Sequence, residues 1–227
     1  MIKKGVYAAS LSVLNDDRSL DVNSTISHGA SLIKNGLHGV FFFGSTGQSQ
    51  LISLSEKKEL ISKAATHKLK NSFFFGTGTN SLRENIDLIK YAFEYDFKDF
   101  LIMPPAYYKG NTDEGVFDFY SKIISSSPKI RIVLYNFEKL SGYKFSEQAV
   151  RKLVKNFPKN IIGCKDSSYN LYEKLKLSNF LIFPGSETKL LRGLEIGNAG
   201  IISAVTNVTH SLARKVYDDF ENKVSQS

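Results

Sequence analysis

The chain has 227 residues, 42% hydrophobic and 23% charged, an ordinary composition for a globular protein long enough to bury a substantial core. Its net charge is +8, but the lysines are dispersed, as at Lys57, Lys58 and Lys63 on what reads as the solvated face of a helix, so a small anionic substrate is expected and a nucleic-acid partner is not. A single cysteine, Cys164, excludes an intrachain disulfide and a cysteine-based zinc site, and no stretch approaches the length of a membrane span, so a cytoplasmic protein without a membrane partner is expected.

The start, MIKKGVYAASLSVL, superficially resembles a secretion signal. Its apolar part is short and broken by Ser10 and Ser12, and it reads instead as a first strand over Gly5–Leu11. Short apolar runs then alternate with longer amphipathic ones. Val22–Asn35 has apolar residues at helical spacing, and Leu37–Phe43 is a second strand ending in Gly44-Ser45-Thr46-Gly47. Leu54–Thr66 reads as a helix with Ser55 as its N-cap and Glu56 and Glu59 in the first turn. A third strand, Asn71–Phe75, precedes a helix capped by Ser81 that runs to about Tyr95. The fourth strand, Asp99–Met103, stops at Pro104-Pro105, and Asp113–Ser126 is the next helix. Strand Lys129–Tyr135, helix Ser146–Asn156, strand Asn160–Cys164 and a short helix Asn170–Leu177 follow. The chain closes with strand Phe180–Phe183, helix Glu187–Ile196, strand Ala199–Val205 and helix Val208–Asn222.

Regular strand–helix alternation means a parallel sheet covered by helices, and eight such units over 1–227 suggest one (β/α)8 barrel, whose usual length is about 250 residues. An open doubly wound sheet is the alternative; no GxGxxG follows the first strand, which weakens its dinucleotide-binding version. In a barrel the active face lies where the strands end. Ser45 and Thr46, Tyr107 and Tyr108, Tyr135 and Asn136, Lys165, Gly185 and Ser186, and Ser203 all fall there.

Lys165 stands at the end of the run Ile161-Ile162-Gly163-Cys164. Strand alternation points it the same way as Gly163 and Ile161, with Cys164 turned toward the covering helices. An ammonium at the end of a buried strand is costly unless paired, neutralised or used, and a neutral amine attacks carbonyl carbon. The sharp reading is a Schiff-base lysine; the plain one is a loop lysine after the strand has ended. Tyr135, on the neighbouring strand, could carry protons to and from an imine, or be a rim tyrosine. The Gly44–Gly47 turn could bind a carboxylate through backbone N–H groups and its hydroxyls, or be a polar turn. His28, His38, His67 and His210 lack metal-ligand spacing, so neither a metal nor a cofactor is expected.

The ordered set GSTG (44–47) followed by SLSEKKE (53–59), PAYY (105–108), YNFEKLSG (135–142) and GCKDSS (163–168) resembles the dihydrodipicolinate synthase/N-acetylneuraminate lyase family of pyruvate-dependent class I aldolases, from about Gly5 to Asn222. The resemblance implies a (β/α)8 barrel in which Lys165 forms a Schiff base with pyruvate and Tyr135 relays protons. It implies that Ser45 and Thr46 bind the pyruvate carboxylate, with Ser45 also supporting the relay, and that Gly185, Ile202 and Ser203 line the pocket. It implies a homo-oligomer, since the tyrosine matching Tyr107 is in many members donated across a subunit interface. Departures from the family pattern are Glu138 for a proline, Gln48 for a glutamate, Ser10-Leu11-Ser12 for a Thr-Pro, and Leu140 for the arginine with which the synthases grip their second substrate. The acidic pair of the sialic-acid lyases after strand seven is partly kept, as Glu187 then Thr188, and the sequence carries no counterpart of the family's C-terminal helical extension. The expected activity is reversible cleavage of a 2-keto-3-deoxy sugar acid to pyruvate and an aldehyde. The alternatives are dihydrodipicolinate synthase, condensing pyruvate with aspartate semialdehyde, and a barrel with a binding or regulatory role and no turnover.

Overall fold

The computed structural model describes residues 1–224. Eight parallel strands form a sheet: β1 (Gly5–Ala9), β2 (Gly39–Phe42), β3 (Phe73–Gly76), β4 (Asp99–Ile102), β5 (Arg131–Asn136), β6 (Ile161–Asp166), β7 (Leu181–Pro184) and β8 (Gly200–Ser203). They follow the order β7-β6-β5-β4-β3-β2-β1-β8. The two ends of that order meet where the Ala199 N–H donates to the Ile182 carbonyl at 2.8 Å, so the sheet is a nearly closed barrel. The helices are α1 (Val22–Lys34), α2 (Leu54–Ala65), α3 (Leu82–Glu94), α4 (Asp113–Ser126), the one-turn α5 (Glu138–Ser141), α6 (Glu147–Asn156), α7 (Leu190–Glu195) and α8 (Thr206–Glu221). Among the described residues no helix is long and apolar enough to cross a membrane.

Strand alternation divides the phenylalanine runs between two cores. Phe41 and Phe74 stack inside the barrel with Tyr7 and Phe183 edge-on to the group. Phe42, Phe73 and Phe75 face outward and bury the apolar faces of the helices.

Three expectations give way to the structure. The N-cap of α2 is Ser53 rather than Ser55: Ser53 and Glu56 form a reciprocal capping box that satisfies two N–H groups of the first turn. No helix forms over 170–177, which is a series of turns. The Asp166 carboxylate takes the N–H groups of Ser168, Tyr169, Leu171 and Tyr172, and these hydrogen bonds replace a helical start. Lys57 is not on a solvated face: it is 2% exposed, and its Nζ donates to the carbonyls of Thr77 at 3.1 Å and Gly78 at 2.8 Å. Desolvation pulls its pKa from 10.5 down to about 8, with the Glu84 carboxylate opposing the shift.

Candidate active site

β6 does not end at Cys164 but runs through Lys165 and Asp166, paired to Tyr135 and Asn136 of β5. It also breaks strict alternation. The pairing steps from Ile132↔Ile161 to Val133↔Gly163, a bulge that leaves Ile162 extra. Ile161 consequently packs in the outer layer while Lys165 points into the barrel mouth, so the expectation that the two share a face fails. Were Ile162 accommodated in regular alternation instead of a bulge, Lys165 would face the helices with Ile161. Cys164 does face the helices; burial pushes its thiol pKa well up, with Asp166 adding to the effect.

Lys165 is 3% exposed and Tyr135 4%. The Lys165 Nζ lies 4.3 Å from the centre of the Tyr135 ring. Among the described residues no carboxylate pairs with that ammonium. The Tyr135 hydroxyl shares a 2.8 Å hydrogen bond with Ser45 Oγ. An amine, a phenol and an alcohol from β6, β5 and the turn after β2 are thus neighbours.

These three groups form one wall of an open cleft of about 400 Å³, which Thr46 and Gly185 also border. Among the described residues the Ser45 and Thr46 amides donate to no protein acceptor, leaving two N–H groups and the Thr46 hydroxyl for a ligand anion beside the Ser45 hydroxyl that Tyr135 shares. The turn is held shut behind by Ser12 Oγ, which donates to the Gly47 carbonyl at 2.7 Å. A Cβ at Gly185 would fall 2.2 Å from Ser167 Oγ, so glycine lets that loop approach the cleft.

The remaining residues expected at the site are placed apart from it. Ile202 lies deeper, in the interior layer with Phe41 and Phe183. Ser203, one residue on, turns away from the interior; its Oγ accepts the Val205 N–H, and Ala204 borders the cleft instead. Tyr107 is 78% exposed at φ +73°, packs on Tyr108 and does not border the cleft that holds Lys165. Residues not anticipated at the cleft are Phe137, Glu138, Lys139, Ser167, Ser168 and Tyr169. They flank the two reactive strand ends, which is the signal that could have found them. A second, mostly apolar cleft shares Ser45 and Tyr135 and is bordered by Phe43, Leu101, Met103 and Leu140.

Residues 3–226 match the dihydrodipicolinate synthetase family. The chain belongs to that family. It is similar to a 4-hydroxy-tetrahydrodipicolinate synthase of Methanothrix thermoacetophila, 30% identical over 90% of this chain and 70% of that one. It is similar as well to a 2-dehydro-3-deoxy-D-gluconate/2-dehydro-3-deoxy-phosphogluconate aldolase of Picrophilus torridus, 29% identical over 89% of this chain and 78% of that one. The crystal structure of dihydrodipicolinate synthase from Agrobacterium tumefaciens superposes with a TM-score of 0.87 at 28% identity, covering 94% of this chain and 77% of that one. The chain is therefore a lyase of the dihydrodipicolinate synthetase family, built on that family's barrel.

Proposed function

We propose that this lyase is a class I aldolase in which Lys165 forms an imine with a 2-oxo acid, and that it reversibly cleaves a 2-keto-3-deoxy sugar acid to pyruvate and an aldehyde. The observation that carries this reading is the group Lys165, Tyr135 and Ser45: a buried amine without a carboxylate partner, beside a phenol that is hydrogen-bonded to a second hydroxyl. The neutral amine adds to the carbonyl carbon, and loss of water gives the imine. Once protonated, the imine draws the electrons of the C3–C4 bond as that bond breaks. The C4 hydroxyl passes its proton to the Tyr135–Ser45 pair and leaves as aldehyde. The enamine that remains takes a proton at C3, and hydrolysis returns pyruvate and the free lysine. The Ser45 and Thr46 amides and hydroxyls suit the carboxylate. The same reading assigns Tyr107 to the site of a neighbouring subunit in a homo-oligomer.

Two features favour a hydroxylated aldehyde. Leu140 offers no charge to a second carboxylate, and Glu187, just beyond Gly185, holds a buried Oε1 with no hydrogen-bond partner among the described residues. The resemblance to the Picrophilus torridus aldolase points the same way. Condensation with aspartate semialdehyde is the second reading, favoured by the 30% identity to the Methanothrix synthase.

Borohydride reduction in the presence of pyruvate tests the chemistry: the peptide carrying Lys165 gains the reduced adduct, and an unmodified peptide refutes the imine. Coupled assays with 2-keto-3-deoxygluconate, sialic acid and aspartate semialdehyde then separate the two readings. Turnover of the semialdehyde alone rules out the sugar-acid assignment.

A further inference from the structure

We infer that Asn136 and Asp166, the residues directly after Tyr135 and Lys165, are a positioning pair that fixes the reactive amine and phenol relative to each other. The inference rests on the imine reading above. Both residues are completely buried, and both project to the side opposite the cleft. They are paired in register, as Tyr135 is with Lys165. Asn136 Nδ2 donates to Asp166 Oδ1 at 2.8 Å, so a side-chain hydrogen bond joins β5 to β6 immediately behind the reactive groups.

Each member also gathers a loop. Asp166 Oδ1 accepts the N–H groups of Ser168 at 3.2 Å and Tyr169 at 2.9 Å, and Oδ2 those of Leu171 at 2.8 Å and Tyr172 at 2.9 Å. Among the described residues no cation pairs with this carboxylate; its charge is met by N–H groups alone, so it serves as a hub for the loop backbone. Asn136 Oδ1 accepts the Phe145 N–H at 3.1 Å, and its Nδ2 also reaches Asn170 Oδ1 at 2.8 Å. The main chain completes the tie: Ser167 N–H donates to the Asn136 carbonyl at 2.8 Å, and Gly185 N–H to that of Asp166 at 3.0 Å.

The pair therefore fastens the loops after β5, β6 and β7 to one buried point, and those loops carry the cleft wall of Phe137, Ser167, Tyr169 and Gly185. A residue that only stabilised the fold could sit anywhere along the strands. These two sit at the register position directly after Tyr135 and Lys165, where a tilt of either strand end moves a reactive group. Misplacing a reacting group by about 1 Å costs on the order of 10²-fold in rate.

The test uses Asp166→Asn, which keeps the side chain's size but leaves two backbone N–H groups facing an amide N–H₂. It also uses Asn136→Ser, which leaves the four backbone contacts of Asp166 in place. Competent sites are counted by the end point of borohydride trapping with pyruvate, and retro-aldol turnover is expressed per trapped site. That ratio is unmoved by loss of folded protein. Turnover per site is expected to fall by about 10²-fold in Asp166→Asn and about 10-fold in Asn136→Ser, with KM within about 3-fold of wild type. If Asp166→Asn yields no folded protein, Asn136→Ser decides. Turnover per trapped site within about 3-fold of wild type, in whichever variants fold, overturns the positioning role while leaving the imine reading intact. A wild-type chain that traps no pyruvate overturns both.

Discussion

Lys57 gives the most quantitative test of the structure. It is buried in α2, holds the carbonyls of Thr77 and Gly78, and has its pKa drawn from 10.5 to about 8 by desolvation. The folded chain therefore releases this proton near pH 8, while the unfolded chain keeps it until about 10.5. Between those values the unfolded state binds more protons, so the Lys57 contribution to stability rises with pH and is level on either side. The full shift corresponds to roughly 3.4 kcal/mol at 1.36 kcal/mol per unit; with residual solvent taking up part of the charge, ~2–3 kcal/mol is expected. Cys164 and Tyr7 work in the opposite direction. Their burial raises their pKa values, that of Tyr7 to about 12, and costs stability as the unfolded thiol and phenol ionise. Those contributions are common to wild type and Lys57→Met, so the difference between the two isolates the lysine. Urea unfolding of both at pH 7, 8, 9 and 10 should show wild type gaining on the variant by ~2 kcal/mol over the upper part of that range. A difference that stays flat within ~0.5 kcal/mol means Lys57 titrates in the folded chain as it does in water, and refutes the desolvation argument.

Tyr135→Phe removes a hydroxyl hydrogen-bonded to Ser45, which should cost ~1 kcal/mol in thermal unfolding but about 10²- to 10⁴-fold in retro-aldol kcat. A kcat within about 3-fold of wild type removes Tyr135 from the proton path. Gly163→Ala sets a Cβ 2.4 Å from the Leu181 carbonyl, against backbone that cannot yield, so β6 and β7 should be forced apart at a cost of ~1–3 kcal/mol or more by chemical denaturation. Tyr120→Phe deletes the buried hydrogen bond to the Ile102 carbonyl; unfolding should show ~1 kcal/mol lost, with turnover unchanged because the ring lies in the outer core.

Much of this barrel is legible from local rules. Helices α1, α3, α4 and α6 sit where the apolar period places them, and Ser81 and Ser146 cap as side-chain chemistry dictates. Two of the departures are also written in the sequence. Ser53 and Glu56 stand at capping-box spacing, and Lys57 shares a helical face with Leu60, Ile61 and Ala64, so its burial is written in the period. Other features are not local. Leu171 and Leu175 have helical spacing, but the carboxylate that takes the N–H groups of that segment belongs to a strand before it. Tyr107 is exposed, and no spacing within one chain says what it meets.

Lys165 reaches the barrel mouth by a path that strict alternation does not allow. Two-residue alternation counted from Ile161 puts the lysine on Ile161's face, and that face is packed against the helices. The inserted Ile162 reverses the phase, and Gly163 lets β6 close on Leu181 where a side chain would collide with main chain. Asn136 and Asp166 then hold the reversed phase from behind. A bulge has no signature in hydrophobicity, since Ile161, Ile162 and Cys164 suit a buried strand in either phase. What the sequence does carry is the consequence: two polar residues, Lys165 and Asp166, each able to find its partners only when one faces the mouth and the other the backbone of the next loop.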